Sequence, residues 1–257
     1  MQNISSGWKV GVLLPKFFIS EDAARDSFLV LTGENAAHAR VLRLHSGDDV
    51  TVCDGTGTDY RCTVSDVSDG QISLVVRDKA PSSSEPAVFC SVYMAFAKSD
   101  KLEHVIQKAT ELGACEIVAF PSARCVSRPD EKSLAKKLER WQKIAASAAE
   151  QSGRGRIPQV LALDSYQKAL ERASQCDLAL FPYENEQGLS LRAAVRAGPF
   201  STVSIMTGPE GGFETEEVQL ARESGFRICT LGPRILRCET APLCALTAVL
   251  YDAGALD

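Results

Sequence analysis

Eight residues set the plan of this chain. The stretch Ala80-Pro-Ser-Ser-Ser-Glu-Pro-Ala87 carries two prolines and three serines, a composition that sustains neither a strand nor a helix. The periodicity differs on its two sides, which places a domain boundary there: residues 1–80 form one domain and 87–257 another. A length of 257 residues accommodates both.

Before the break the pattern is mostly β. Ser27 to Leu31 and Val50 to Cys53 read as strands, and Tyr60 to Val64 and Ile72 to Val76 alternate apolar with polar residues. The pairs Asp54-Gly55 and Asp69-Gly70 supply turns, and one short helix, Glu34 to Leu42, interrupts. A small β-barrel follows from this.

After the break, strands and helices alternate. Strands are expected at Val88–Phe96, Glu116–Phe120, Leu178–Phe181, Ser201–Met206 and Arg227–Thr230. Helices are expected at Asp100–Leu112, Lys132–Gln151, Ser165–Ala173, Glu214–Glu223 and Ala241–Ala253. Such alternation makes an α/β domain, a largely parallel sheet covered on both faces.

With 45% apolar and 24% charged residues, the chain can bury a core, which excludes a disordered chain and a disulfide mini-scaffold. The longest largely apolar run, Ala241 to Tyr251, is too short to span a bilayer. The segment Lys9 to Pro15 lacks a full secretory h-region, and residues 1–15 read as an extension with no assigned role. Nine scattered cysteines without a signal peptide read as reduced thiols in a cytoplasmic protein. No C-x-x-C occurs, and His38, His45 and His104 are not at ligand spacing, so no metal site is expected.

Charge is distributed unevenly. The net charge is −5, yet Arg124 to Arg156 holds nine basic residues against four acidic ones. Within it, Lys132, Lys136, Arg140 and Lys143 recur at spacings of four, four and three, so they share one side of a helix. Most charge runs are simply solvated helix faces. Here the run ends in Gln151-Ser-Gly-Arg-Gly-Arg156, a glycine-loosened loop in which Arg154 and Arg156 seek anions. The stripe and the loop together point to RNA.

In open parallel sheets, ligands bind at the carboxyl ends of strands. Three such ends stand out: Leu180-Phe-Pro-Tyr-Glu184, Met206-Thr-Gly-Pro-Glu-Gly-Gly-Phe213, and Leu231-Gly-Pro-Arg-Ile-Leu-Arg-Cys-Glu-Thr-Ala241. The second suggests a phosphate cradle, but it matches no phosphate-loop pattern. Glu210, Glu214, Glu216 and Glu217 would repel a phosphate. Carboxylates beside glycines suit hydroxyls or a cation, and S-adenosylmethionine (SAM) offers both. A tight turn with helix-capping acids explains the same residues. In the third segment, Arg234 and Arg237 bind a phosphate or pair with Glu239.

At these residues the chain resembles the ribosomal small subunit methyltransferase E family, of the SPOUT class of methyltransferases. The matching stretches are His38-Ala-Arg-Val-Leu-Arg43, Gln107-Lys-Ala-Thr-Glu-Leu-Gly113, Trp141-Gln-Lys-Ile-Ala145, Glu150-Gln-Ser-Gly-Arg154, Gly208-Pro-Glu-Gly-Gly212, and Leu231-Gly-Pro-Arg-Ile-Leu-Arg237 followed by Glu239-Thr-Ala241. They cover nearly the whole chain. Cys238 stands where threonine is expected, Ser152 where cysteine is frequent, and Pro242 where alanine or threonine is usual.

The resemblance implies a PUA-like RNA-binding β-barrel followed by a SPOUT domain with a trefoil knot, assembled as a homodimer. It implies SAM-dependent methylation of N3 of a uridine in 16S rRNA of the small ribosomal subunit. The implied cofactor contacts are backbone groups of Phe181, Gly208, Gly211, Leu231, Gly232, Ile235 and Leu236, together with Glu210. Arg237 is the candidate to stabilise charge on a uracil oxygen, and Glu239 to orient it or accept the proton. Arg40, Arg43, Lys132, Lys136, Arg140, Arg154 and Arg156 are the candidate RNA contacts. Another RNA target such as tRNA, or a non-enzymatic role in ribosome assembly, are the competing readings; the latter has no need of the glycine loops.

Overall fold

The computed structural model describes residues 14–19, 27–68, 70–98 and 100–256. The chain divides into two compact units, Met1–Ser83 and Ser84–Asp257. Most of the N-terminal extension, and Asp69 of one expected turn, lie outside the described residues.

The first unit holds β1 (Lys16–Phe18), β2 (Phe28–Thr32), α1 (Gly33–Val41), β3 (Asp49–Cys53), β4 (Thr58–Ser68) and β5 (Gln71–Pro81). The strands form one sheet in the order β1-β3-β4-β5-β2, antiparallel except for the β1–β3 pair. Phe17 on one edge strand and Leu29 and Leu31 on the other share a single buried cluster with Val50, Val52 and Leu74. Opposite edges meet in one core only because the sheet curls, as strand twist allows. Strand β5 continues to Pro81, past the expected end at Val76, because β4 pairs with it as far as Thr58–Pro81. At that terminal position proline is tolerated in a strand.

The second unit holds β6 (Phe89–Ala95), α2 (Lys101–Leu112), β7 (Glu116–Phe120), α3 (Glu131–Gln151), β8 (Gln159–Ala162), α4 (Tyr166–Ala173), β9 (Leu178–Pro182), α5 (Leu191–Val195), β10 (Thr202–Thr207), α6 (Thr215–Glu223), β11 (Arg227–Cys229) and α7 (Thr240–Asp252). The sheet order is β11-β9-β10-β6-β7-β8, and every pair is parallel. Its strands are apolar on both faces because both faces are covered. Cys90, Val92 and Met94 of β6 enter a core lined by α2, α3, α5 and α7. Tyr93 and Ala95 enter the opposite core, which α4 and α6 close. The strands β8 and β1 and the helix α5 were not foreseen.

The chain builds β6, β7 and β8 outward, then returns to lay β10 against the other side of β6. The reversal falls between β6 and β10, and parallel sheets bind ligands at the carboxyl ends flanking such a reversal. All nine cysteines are free. Among the described residues no helix is long and apolar enough to cross a membrane.

Candidate functional site

The carboxyl ends of β9, β10 and β11 frame a cleft with two lobes. The larger, about 550 Å³, lies between Pro182–Glu184 after β9 and Leu231–Leu236 after β11. The smaller, about 290 Å³, lies between Gly208–Glu210 after β10 and Leu236–Cys238, and reaches Lys101. Pro182, Glu184, Ile235, Leu236 and Ala241 line both lobes, so they are one continuous site. The larger lobe alone is within the ~300–1,000 Å³ of small-molecule sites.

The loop after β10 is held from beneath by Phe213, which is 3% exposed. Its ring lies 4.5 Å from that of Phe181 and stacks on Phe120 at 6.5 Å. The backbone rises from this anchor as two close approaches. A Cβ on Gly208 would stand 3.1 Å from the Phe213 ring, and one on Gly212 only 2.7 Å from Oε1 of Glu184. Gly212 also has φ +67°, the left-handed region that favours glycine. The glycines therefore let backbone and a carboxylate converge on the cleft. Gly232, with φ +101°, performs the matching turn after β11, where its N–H donates to Thr230 Oγ1 at 3.1 Å.

The acids divide into two groups. Glu217 is buried and serves structure: it accepts from Ala123 N at 2.9 Å and from Glu214 N at 2.9 Å, bracing the start of α6. Glu210 serves the cleft, accepting from Lys98 N at 2.9 Å and facing Lys101 Nζ at 3.3 Å. Burial pushes its carboxyl up, but backbone N–H groups and Lys101 together hold it below the usual range. Glu239 behaves alike: burial raises it, and its own N–H, the Cys238 thiol and Lys101 bring it down. Cys238 donates to Glu239 Oε2 at 3.3 Å, and burial foremost pushes that thiol up to about 11, so it stays protonated at neutral pH.

The cleft gathers Gly208, Glu210, Leu231, Gly232, Ile235, Leu236 and Arg237. Glu239 borders it through Lys101, 3.5 Å away. Phe181, expected to contribute backbone, has its side chain fully buried against Phe213, and the residues lining the cleft begin at Pro182. Gly211 is outside the lining, its Cα turned toward Arg124, whose Nη1 donates to Gly211 O at 3.0 Å. Lys101 and Glu184 are site residues that sequence reasoning missed, whereas Arg234, expected to meet a phosphate or Glu239, lines the larger lobe. Glu184 ends a stretch the sequence singles out, and Arg234 sits in another, so both carried a local signal. Lys101 is 109 residues from Glu210, and no local pattern connects them.

The basic residues separate as well. Lys132, Lys136 and Arg140 are exposed along one side of α3, with Arg140 paired to Glu103 at 2.6 Å. Arg40 is exposed on α1, and Arg43, also exposed, follows that helix with φ +54°. Arg154 corrects the expectation. It is 2% exposed, binds Glu85 at 2.6 Å, and donates to the carbonyls of Thr110 and Ala114. Its donors are spent inside the protein, so it holds no phosphate. The loop expected to be loose is pinned, because Glu85 Oε1 also accepts from Gly155 N at 2.9 Å and Arg156 N at 3.1 Å. Arg156 itself is half-buried.

Residues 84–250 match the family described as an RNA methyltransferase domain, and residues 31–77 match an RNA methyltransferase PUA domain. The ribosomal RNA small subunit methyltransferase E of Bacillus subtilis is 39% identical over 232 residues, covering 88% of this chain and 91% of that protein. The crystal structure of the Neisseria gonorrhoeae protein of that name, bound to S-adenosyl methionine, superposes with a TM-score of 0.82 at 31% identity. That match covers 93% of this chain and 98% of the other. A Legionella pneumophila protein solved in complex with the bound cofactor SAM gives 0.81 at 28% identity, covering 94% and 98%.

Proposed function

Because the chain belongs to the ribosomal RNA small subunit methyltransferase E family, we propose that it transfers a methyl group from SAM to N3 of a uridine in 16S rRNA. The observation that carries this reading is the two-lobed cleft, where close-packed glycine backbone and carboxylates meet at the sheet's reversal point. The donor set suits that cofactor. Gly208, Gly212 and Gly232 expose backbone at positions where a side chain would intrude or be strained, which suits a flat adenosine. Glu184 offers negative charge to a sulfonium or an ammonium group, while Glu210, paired with Lys101, fixes the neighbouring loop.

When bound, SAM supplies an activated methyl group on a positively charged sulfur. Three tasks are left to the chain: to align the uridine, to let its N3 proton depart, and to stabilise charge on the uracil oxygens. Arg237 lines the cleft, is exposed, and carries no ion pair among the described residues. Its guanidinium is available for a developing oxyanion. Glu239 is a carboxylate at neutral pH with a lowered affinity for protons, and it is engaged by Cys238 and Lys101. It orients this end of the cleft, and the N3 proton passes to solvent. Lys132, Lys136, Arg140, Arg156, Arg40 and Arg43 hold the RNA backbone.

The knotted threading implied by the sequence resemblance forms part of this proposal, as does a cytoplasmic location. So does a homodimer. On its outer side α7 presents Leu243, Ala248 and Tyr251, with Leu256 beyond it, as an almost wholly apolar surface. An exposed apolar strip of this kind suits the seam between two copies of the chain. Sedimentation should show a dimer that Tyr251→Glu dissociates.

Labelled SAM, small subunits lacking the modification, and nucleoside mass spectrometry test the reaction. Appearance of 3-methyluridine is expected. SAM binding without any methylated nucleoside would move the search to other RNAs, and no SAM binding would leave an RNA-binding factor.

A further inference from the structure

Lys101 is the first residue of α2, just beyond the carboxyl end of β6, and the cleft loops belong to β10 and to the segment before α7. Its ammonium lies 3.3 Å from Glu210 Oε1 and 3.5 Å from Glu239 Oε2, and 3.8 Å from Cys238 Sγ. Lys98, in the loop three residues before α2, adds its backbone N–H to the same Glu210 oxygen. The start of α2 thus brings one ammonium to both carboxylates. Two like charges on separate loops would repel each other unless a cation lay between them.

We propose that Lys101 is a positioning residue: by spanning Glu210 and Glu239 it clasps the 208–212 loop to the 237–240 segment and so sets the placement of Arg237. The inference rests on the methyltransferase reading for its kinetic consequence, but not for the clasp itself. A flexible lysine stem is suited to this role, since it reaches two acceptors without the fixed fork of arginine. The ammonium also cancels negative charge beside the position where the uracil would develop its own. Without it, Glu210 and Glu239 would oppose the same oxyanion that Arg237 favours. The side chain is only partly exposed and belongs to no hydrophobic core cluster, so its loss disturbs the cleft more than the fold.

The test compares Lys101→Met with Lys101→Arg in the full chain. Single-turnover methyl transfer at saturating SAM and RNA should fall about tenfold or more in Lys101→Met. In Lys101→Arg it should recover to within a few-fold of the parent, and the thermal midpoint should change little in either. Adding Glu239→Gln to Lys101→Met should cost no more than the worse single change, because both break one clasp. Hydrogen exchange at residues 208–212 and 237–240 should quicken in Lys101→Met, a readout that needs no activity. An unchanged rate, multiplied losses in the double variant, or unaltered exchange at both segments would each overturn the proposal. If the parent itself methylated no RNA, the functional reading would fail while exchange still decided the clasp.

Discussion

The guanidinium of Arg154 closes on the carboxylate of Glu85 at 2.6 Å, with side-chain exposures of 3% and 16%. An arginine that ends a basic helix and sits between glycines is thereby an internal brace. It ties the residue just after the domain boundary to the ends of α3 and α2, the latter through the carbonyls of Thr110 and Ala114. Breaking one partner of a buried pair strands the other, at a cost of about 3 kcal/mol or more. Arg154→Met should lose that much in urea unfolding, while RNA affinity of the folded protein stays the same. A stable variant with weakened RNA binding would return Arg154 to the RNA-binding residues.

The exposed stripe on α3 should behave in the opposite way. Lys132→Ala with Lys136→Ala should leave stability intact and weaken RNA binding. The slope of log affinity against log salt should shrink by about 0.7–0.9 for each phosphate that is no longer neutralised. Arg140→Ala should do less, since Glu103 already neutralises Arg140. Unchanged salt slopes would remove the stripe from the RNA-binding surface.

Arg237→Ala should lower turnover by about a hundredfold, the scale seen when one oxyanion donor is removed. SAM affinity, measured by calorimetry, should change far less. Equal losses in both quantities would mean that Arg237 holds the cofactor.

Gly212 has left-handed backbone, where an alanine costs roughly 1–2 kcal/mol. Gly212→Ala would also press on Glu184 Oε1, which must swing aside. SAM binding should weaken markedly. Gly225, with φ +87° and nothing within 4 Å of an added Cβ, provides the control. Gly225→Ala should lose stability but keep its affinity for SAM.

Asp177 accepts from Ser201 N at 2.8 Å and Thr202 N at 2.9 Å, and these backbone donors hold its carboxyl below the usual range. Its folded value is therefore lower than its unfolded one. The stabilisation is complete above the unfolded value and is lost as pH falls through the folded one. Thermal midpoints should decline on acidification below about pH 5, and Asp177→Asn should be less stable at neutral pH with a shallower decline. An equally steep decline would assign the acid sensitivity to other carboxylates.

Periodicity over long segments determined most of the architecture. Leu102, Val105, Ile106 and Ala109 mark α2 and are buried together, and the doubly apolar Glu116–Phe120 is β7 from end to end. The glycine loops were legible for a local reason: Gly208-Pro-Glu-Gly-Gly212 has a composition that only close backbone approach or a turn requires. Strand β8 carries no such mark, because four residues cannot establish a period and only pairing with β7 makes them a strand. Tertiary structure alone decided the charged residues. Arg154 and Lys136 look alike in the chain, yet one is enclosed by Glu85 and two carbonyls and the other is open to solvent. Lys101, Glu210 and Glu239 are far apart in sequence and converge because β6 and β10 are neighbours in the sheet and α7 packs on α2. Periodicity records which face of an element meets the core, whereas a charge takes its role from whatever the fold places within a few ångströms of it.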